Sequence, residues 1–324
     1  MSKTSSEAVR QALHGPTMGT SWQATFYAPP GFDPGPVRGA LQDAVDMVDW
    51  QMSTWKPDST LMHLNRAEVG EWVAVPAELA EVLRLGLEIG RASGGAFDIG
   101  MGDAVRAWGF GTDAAETDAI RAAMVASRPP AHEIVDIDDG RVRKRASIML
   151  DLNGIAKGYG VDRLTEILCR HGITDALTGI DGEMRATGRR VDGAPWTVAV
   201  EAPNPERRAP HSILALEDAA VATSGDYRHR VTVKGRSLSH TMDPRRGAPL
   251  LSSPASVTVV ARSCAEADGW ATALMVLGPD AGGELAARRG LDALFLTREA
   301  GSIQPFAIGP LFNNAPTSTA AATC

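Results

Sequence analysis

Apolar and polar positions alternate in two rhythms along this chain, and each change of rhythm marks an element. Trp22, Ala24 and Phe26 alternate with polar residues, the period of a half-buried strand, so residues 14–27 are expected to hold an early strand. A Pro/Gly-rich turn follows over 28–36, after which Val37, Leu41, Val45 and Val48 recur at helical spacing. A second helix opens at Pro76 and Glu78, turns Leu79, Val82, Leu83 and Leu87 inward, and stops at Ser93-Gly94-Gly95. Residues 112–130 read as a peripheral helical excursion. Two short strands, near 133–137 and over 141–150, end in the run Ile148-Met149-Leu150, and Val161, Leu164, Ile167 and Leu168 then share one helical face. Beyond them the pattern is mainly β, with strands expected at 176–180, 196–201, 213–216, 219–222, 231–234 and 256–261. A helix over 265–277, a short helix near 283–289 and a strand at 293–297 complete the series. No period of roughly 20–50 residues repeats, so the expectation is an α+β fold with sheets covered by helices.

Composition changes this picture little. Apolar residues make up 44% and charged residues 22% of 324 positions, the balance of an ordinary globular chain with room for a substantial core. The formal charge of −7 opposes broad nucleic-acid binding, which needs a basic surface. Cys169, Cys264 and Cys324 are too few and too scattered for a disulfide framework or a zinc knuckle. No apolar run approaches the ~20 residues that span a bilayer. The opening MSKTSSEAVRQALHG carries neither an apolar leader nor a lipidated cysteine, so a cytoplasmic protein is expected unless the coding start lies upstream.

Candidate chemistry gathers in three stretches. In the first, Asp151 to Asp162, a turn with a carboxylate and glycines leads into a helix N-terminus, where N–H groups and the helix dipole favour an anion. Gly154 and Gly158 lack the Cβ atoms that would hold a ligand off the backbone, and Lys157 adds a charge suited to a phosphate. Alone, the same pattern also describes an ordinary corner with a solvated lysine. In the second stretch Asp268 and Thr272 stand four apart, so a helix puts a carboxylate and a hydroxyl on one face among Ala267, Ala271 and Ala273. Such oxygens suit a hard cation; a helix-stabilising pair has the same spacing. The third, Ser239 to Gly247, places His240 before an Asp-Pro turn, where it could exchange a proton, bond a phosphate or serve structure alone. Thr223-Ser224-Gly225-Asp226 offers hydroxyls in what is equally a plain β-turn. A Walker loop, a G-x-G-x-x-G fingerprint, a G-x-S-x-G elbow and a CxxC pair are all missing, which removes most nucleotide hydrolases, Rossmann oxidoreductases and serine esterases.

Seven segments in one order give the chain a resemblance to the ApbE family of FAD:protein FMN transferases. They are TMGTSW at 17–22, MSTWKPDST at 52–60 with Asn65, SGGAFD at 93–98, DLNGIAKGYGVD at 151–162, ATSGDY at 222–227, SHTMDPRRG at 239–247 and ADGWATA at 267–273. The resemblance implies an ApbE-like, T-fold-related α+β architecture of two intertwined α/β subdomains over 17–312. A polar segment at 1–16 would precede it and a disordered tail at 313–324 would follow. It implies an enzyme that splits FAD, passes FMN to a threonine hydroxyl of an acceptor flavoprotein and releases AMP, with Mg2+ as the metal. By resemblance the Gly154 carbonyl, Asp268 and Thr272 would hold the metal. FAD would contact Met18, Trp55, Ala96, Phe97, Asp98, Asp151, Lys157, Met242 and Ala271. His240 would act as acid–base residue, with Asp268 also catalytic. Trp55 stands where the family often has tyrosine, Ile180-Asp181-Gly182-Glu183 replaces a paired-glycine turn, and Ile99-Gly100-Met101-Gly102 is atypical. A magnesium-dependent FAD pyrophosphatase would share these residues. A protein that binds FAD without cleaving it is a third reading, disfavoured by the presence of Asp268, Thr272 and His240.

Overall fold

Eight strands form one antiparallel sheet in this computed structural model, which describes residues 8–204, 209–226, 230–233, 236–299 and 301–313. In spatial order they are Val9–Thr17, Thr20–Ala28, Ala176–Ile180, Glu183–Thr187, Ala219–Gly225, Ser256–Ala261, Asp292–Glu299 and Ser302–Ile308. The alternation over 14–27 resolves into a hairpin whose two-residue turn, Met18-Gly19, has positive φ at both positions. That conformation matches the right-handed twist of the flanking strands. The polar segment expected over 1–16 therefore contains the first strand, from Val9; residues 1–7 lie outside the described ones.

Alternation sorts each strand's side chains between two layers. Val257, Val259, Ala293 and Phe295 join the core under the helices, whereas Val260, Leu294 and Leu296 face the other way. On the helical face, Ala156–Arg170 packs on Ala176–Ile180 and Glu183–Thr187, and Cys264–Arg289 lies across Ala219–Gly225 and Ser256–Ala261. The helix Gly35–Met52 covers Ala156–Arg170 in turn. These three long helices share one face, whereas the helical turn Pro310–Asn313 sets Phe312 against the opposite one. That opposite face is covered by the hairpin Trp196–Glu201 with Pro210–Leu216, which buries Trp196, Val200, Leu214 and Leu216 against Met184 and Val221.

Several elements differ from the sequence expectation for identifiable reasons. Ile148-Met149-Leu150 is not a strand, because its neighbour is a side chain. Leu150 N–H donates to Asn65 Oδ1 (2.8 Å) and Asn65 Nδ2 donates to the Leu150 carbonyl (2.9 Å), so one amide supplies both bonds a flanking strand would. The two helices expected near 265–277 and 283–289 are both present within Cys264–Arg289, separated at Gly278 (φ +74°, ψ 179°) just before Pro279. Trp72–Ala74, Glu183–Thr187 and Ser302–Ile308 are strands that the apolar pattern did not mark; the last is an edge with largely exposed side chains. Residues 112–130 do contain a helix, Thr117–Val125. Pro310–Asn313 forms a last helical turn, and the remainder of the expected tail lies outside the described residues, as does residue 234 of the strand expected at 231–234.

The two helices that matter most meet at their N-termini. Gly158 permits this, since a Cβ there would strike the Cys264 carbonyl oxygen. Asp162, one turn along, accepts the N–H groups of Cys264 (2.8 Å) and Ala265 (2.9 Å) and pairs with Arg185 at 2.6 Å. Ser263 and Glu266 complete that terminus as a capping box. Asp162→Ala would leave two buried amides and a guanidinium without their acceptor. Such a loss costs about 3–5 kcal/mol, so the urea midpoint should fall well below that of the wild-type protein; an unchanged midpoint would show that the brace is dispensable.

Candidate active site

The turn at 151–155 delivers the chain into the Ala156–Arg170 helix and places Gly154 beside Thr272 of the second helix. A Cβ on Gly154 would lie 3.2 Å from Phe97 Cε2 and 3.3 Å from Thr272 Oγ1, tight enough that those side chains would have to shift by a few tenths of an ångström. Thr272 Oγ1 is also 3.1 Å from Ser224 Oγ; Thr223 and Ser224 lie in the strand Ala219–Gly225, paired with Ser256–Ala261, and not in the β-turn the sequence suggested. One turn before Thr272, buried Asp268 accepts the Gly158 N–H through Oδ2 at 3.1 Å. That amide was expected to be open to an anion; it is already spent on Asp268. Each helix thus carries a carboxylate that caps the other's N-terminus.

Lys157 points from the first turn of its helix to the Asp181-Gly182 hairpin, with Glu183 Oε1 at 2.8 Å and Asp181 Oδ2 at 3.4 Å. Burial alone would lower the lysine; Glu183, Asp268 and Asp181 together outweigh it and hold the ammonium well above its usual range. Burial pushes Glu183 upward, with Lys157 pulling against it, and its Oε2 is buried without a hydrogen-bond partner among the described residues. Asp268 is pushed up to about 7, first by burial and then by the Glu183 charge, against Lys157 and the Gly158 amide. Burial also raises Asp151 to about 6, although the Asn153 N–H opposes it.

Gly154, Lys157, Asp268, Thr272 and Phe97 therefore converge. Met18, in the left-handed region at φ +46°, packs its Cε toward Gly160 in the same helix. Asp98 is anchored beneath them by the Gly100 and Ala131 N–H groups, and burial raises its carboxyl. Asp151 borders a small cavity of about 20 Å³ shared with Thr54, Arg106 and Thr112. Trp55 is 56% exposed on the neighbouring loop, an open ring beside that cavity's Thr54. Ala96 is buried, and Ala271 is fully enclosed in the main core, where its methyl group is a packing element. His240 is half-buried on the bend between Arg236–Ser239 and Met242–Asp243; Met242 is buried against Met101 and Trp108.

The sequence reading assigned no role to Glu183, Asp181 or Asp162. The first two were detectable: Asp-Gly between short apolar runs is a two-residue hairpin signal, which pairs Glu183 with Ile180. Among the described residues no three His, Cys, Asp or Glu side chains converge as a metal site. The donor set here is of another kind: one carboxylate, one hydroxyl and a glycine backbone beside them. These are oxygen ligands suited to a hard cation, and a buried carboxylate whose own neighbours leave it raised fits such a charge.

The sign of the pH effect follows. Asp268 binds its proton more tightly folded than unfolded, so its contribution to stability is complete below about 3.8 and is lost as pH rises through about 7. With chelator present, Asp268→Asn should melt above the wild-type protein at about pH 8, the gap closing toward about pH 5; a deficit at every pH would show the carboxylate to be a structural cap alone.

Comparison with known proteins gives this geometry its context. A relative from Vibrio cholerae named FAD:protein FMN transferase is 34% identical over 292 residues, covering 88% of this chain and 87% of its own. One of the same name from Salmonella typhimurium is 32% identical over 311 residues, covering 91% and 87%. Among solved structures, the flavin transferase ApbE from Vibrio cholerae superposes with a TM-score of 0.83 at 32% identity, covering 94% of this chain and 99% of that one. The apo flavinyl transferase ApbE of Pseudomonas stutzeri also gives 0.83, at 34% identity and coverages of 94% and 96%. A family model described as the ApbE family matches residues 18–295, from the hairpin turn at Met18 to Phe295 under the Cys264 helix, and the chain belongs to that family.

Proposed function

We propose that the protein cleaves FAD and transfers its FMN half to a threonine hydroxyl of an acceptor flavoprotein, releasing AMP. The observation that carries this reading is the meeting of Gly154, Asp268 and Thr272 beside a charged Lys157. A pyrophosphate needs that combination of a hard-cation seat and a fixed ammonium.

Attack of the hydroxyl on the FMN phosphorus forms one P–O bond and breaks the P–O bond to AMP. Lys157 neutralises charge on the phosphate oxygens as it builds, and its position is set by Glu183. Asp268, Thr272 and the Gly154 carbonyl would hold Mg2+, which when bound supplies Lewis-acid charge at the pyrophosphate. His240 takes the proton of the attacking hydroxyl. Phe97 backs the site beside Gly154, and exposed Trp55 offers a flat surface to a flavin or adenine ring. Met18, Ala96, Asp98, Asp151 and Met242 complete the FAD-facing set in this reading, and Ala271 supports the Thr272 turn from the core. No described helix is long and apolar enough to cross a membrane.

The test is incubation with FAD and Mg2+, with and without an acceptor domain, following AMP and acceptor mass. AMP release with an FMN-sized mass gain is expected; AMP release with no gain on any acceptor would mean hydrolysis. Asp268→Ala should remove Mg2+-dependent AMP release from a protein that still folds. His240→Ala should slow transfer by about 10²–10⁴-fold with FAD affinity little altered, and equal losses in rate and affinity would make it a binding group.

A further inference from the structure

The peripheral excursion is joined to the segment that carries His240. Its helix Thr117–Val125 and the preceding helix Gly102–Ala107 enclose, with Met101 and Trp108, an apolar cluster that takes in Met242 and Ala248. Those two residues belong to the short hairpin Met242–Asp243 with Ala248–Pro249, which begins two residues after His240. At the hairpin's tip Trp108 Nε1 donates a buried hydrogen bond to the Gly247 carbonyl at 2.9 Å. Gly247 has φ +56°, and a Cβ there would strike the Ala123 carbonyl oxygen of the second helix. Helix and hairpin are therefore seated against each other through a position only glycine fills.

The hairpin in turn fixes the chain on either side of His240. Thr241 donates its N–H to Ser239 Oγ (3.2 Å), and Leu250 donates to the Thr241 carbonyl (3.0 Å). Gly247 donates to the Asp243 carbonyl (3.0 Å), closing the turn. Ser239 and Thr241 are both buried, with His240 half-buried between them. A small rotation of the hairpin would swing the imidazole.

From this we infer that the excursion and the Gly102–Trp108 segment before it together clamp the His240 segment, and that Trp108 is a positioning residue for the histidine. The inference rests on the reading of His240 as the group that accepts the hydroxyl proton. A proton acceptor works only within hydrogen-bond reach, and misplacement by about 1 Å costs on the order of a hundredfold. A merely stabilising patch would alter melting and leave the histidine's placement alone.

Trp108→Phe separates the two, because it removes the indole N–H and keeps an aromatic ring in the cluster. In single-turnover transfer at saturating FAD and Mg2+ it should slow FMN transfer by about ten- to a hundredfold, with FAD affinity measured by flavin fluorescence close to wild type. Diethyl pyrocarbonate should modify His240 at a changed rate by mass spectrometry, while exposed His171 reacts as before. Wild-type transfer and wild-type His240 reactivity in Trp108→Phe, alongside a His240→Ala variant that has lost transfer, would overturn the clamp alone. Parallel loss of rate and FAD affinity in Trp108→Phe would likewise overturn it, as a structural effect. A His240→Ala variant that transfers at the wild-type rate would overturn the reading of the histidine and the clamp with it.

Discussion

Two buried carboxylates, each capping the helix that carries the other, hold this molecule's centre together. Asp162 of the Ala156–Arg170 helix receives the first amides of Cys264–Arg289, and Asp268 of that helix receives the Gly158 amide in return. Helix N-termini repel one another through their dipoles, so bringing two together requires negative charge between them. The arrangement fixes Lys157, Gly154 and Thr272 in one place without a loop that must order itself. It also explains Gly158: any side chain would part the helices at the Cys264 carbonyl.

The same constraint leaves the site electrically unfinished. Asp162 has Arg185 as a counter-charge, whereas Asp268 shares Lys157 with Glu183 and Asp181. Burial first, and then the Glu183 charge that Lys157 only partly offsets, hold the Asp268 carboxyl well above the usual carboxylate range. A cation at Asp268 would offset that remaining charge and invert the local field, turning a centre that repels phosphates into one that accepts them.

Much of this was legible in the sequence. The helical spacing from Val161 to Leu168 and the quoted segments pointed to the two helices whose N-termini bring Gly154, Lys157, Asp268 and Thr272 together. The four-residue spacing of Asp268 and Thr272 survived intact because a helix keeps its own geometry whatever it packs on. What failed involved partners distant in sequence. Asn65 stands in for a strand beside Leu150, which no local pattern encodes, so an apolar run was read as β. Asp162 looked like one more polar residue of an amphipathic helix, since its three partners lie in other elements. Ala271 shows the reverse error: a position beside Thr272 on the chain can face the core while its neighbour faces the site.

The order of the sheet bears on how the chain reaches this state. Trp22, Ala24 and Phe26 belong to the second strand, yet the strand that covers its free edge begins at Ala176, with Trp22 opposite Ile180. During synthesis that edge emerges early and waits for its partner. At ribosomal speeds the wait lasts on the order of ten to thirty seconds, during which an apolar ribbon with unpaired amides invites association with other chains. The Met18-Gly19 hairpin can form within microseconds and protects only one side. The N-terminal hairpin is therefore the part of the sheet whose edge stays unpaired longest during synthesis, until Ala176–Ile180 is made.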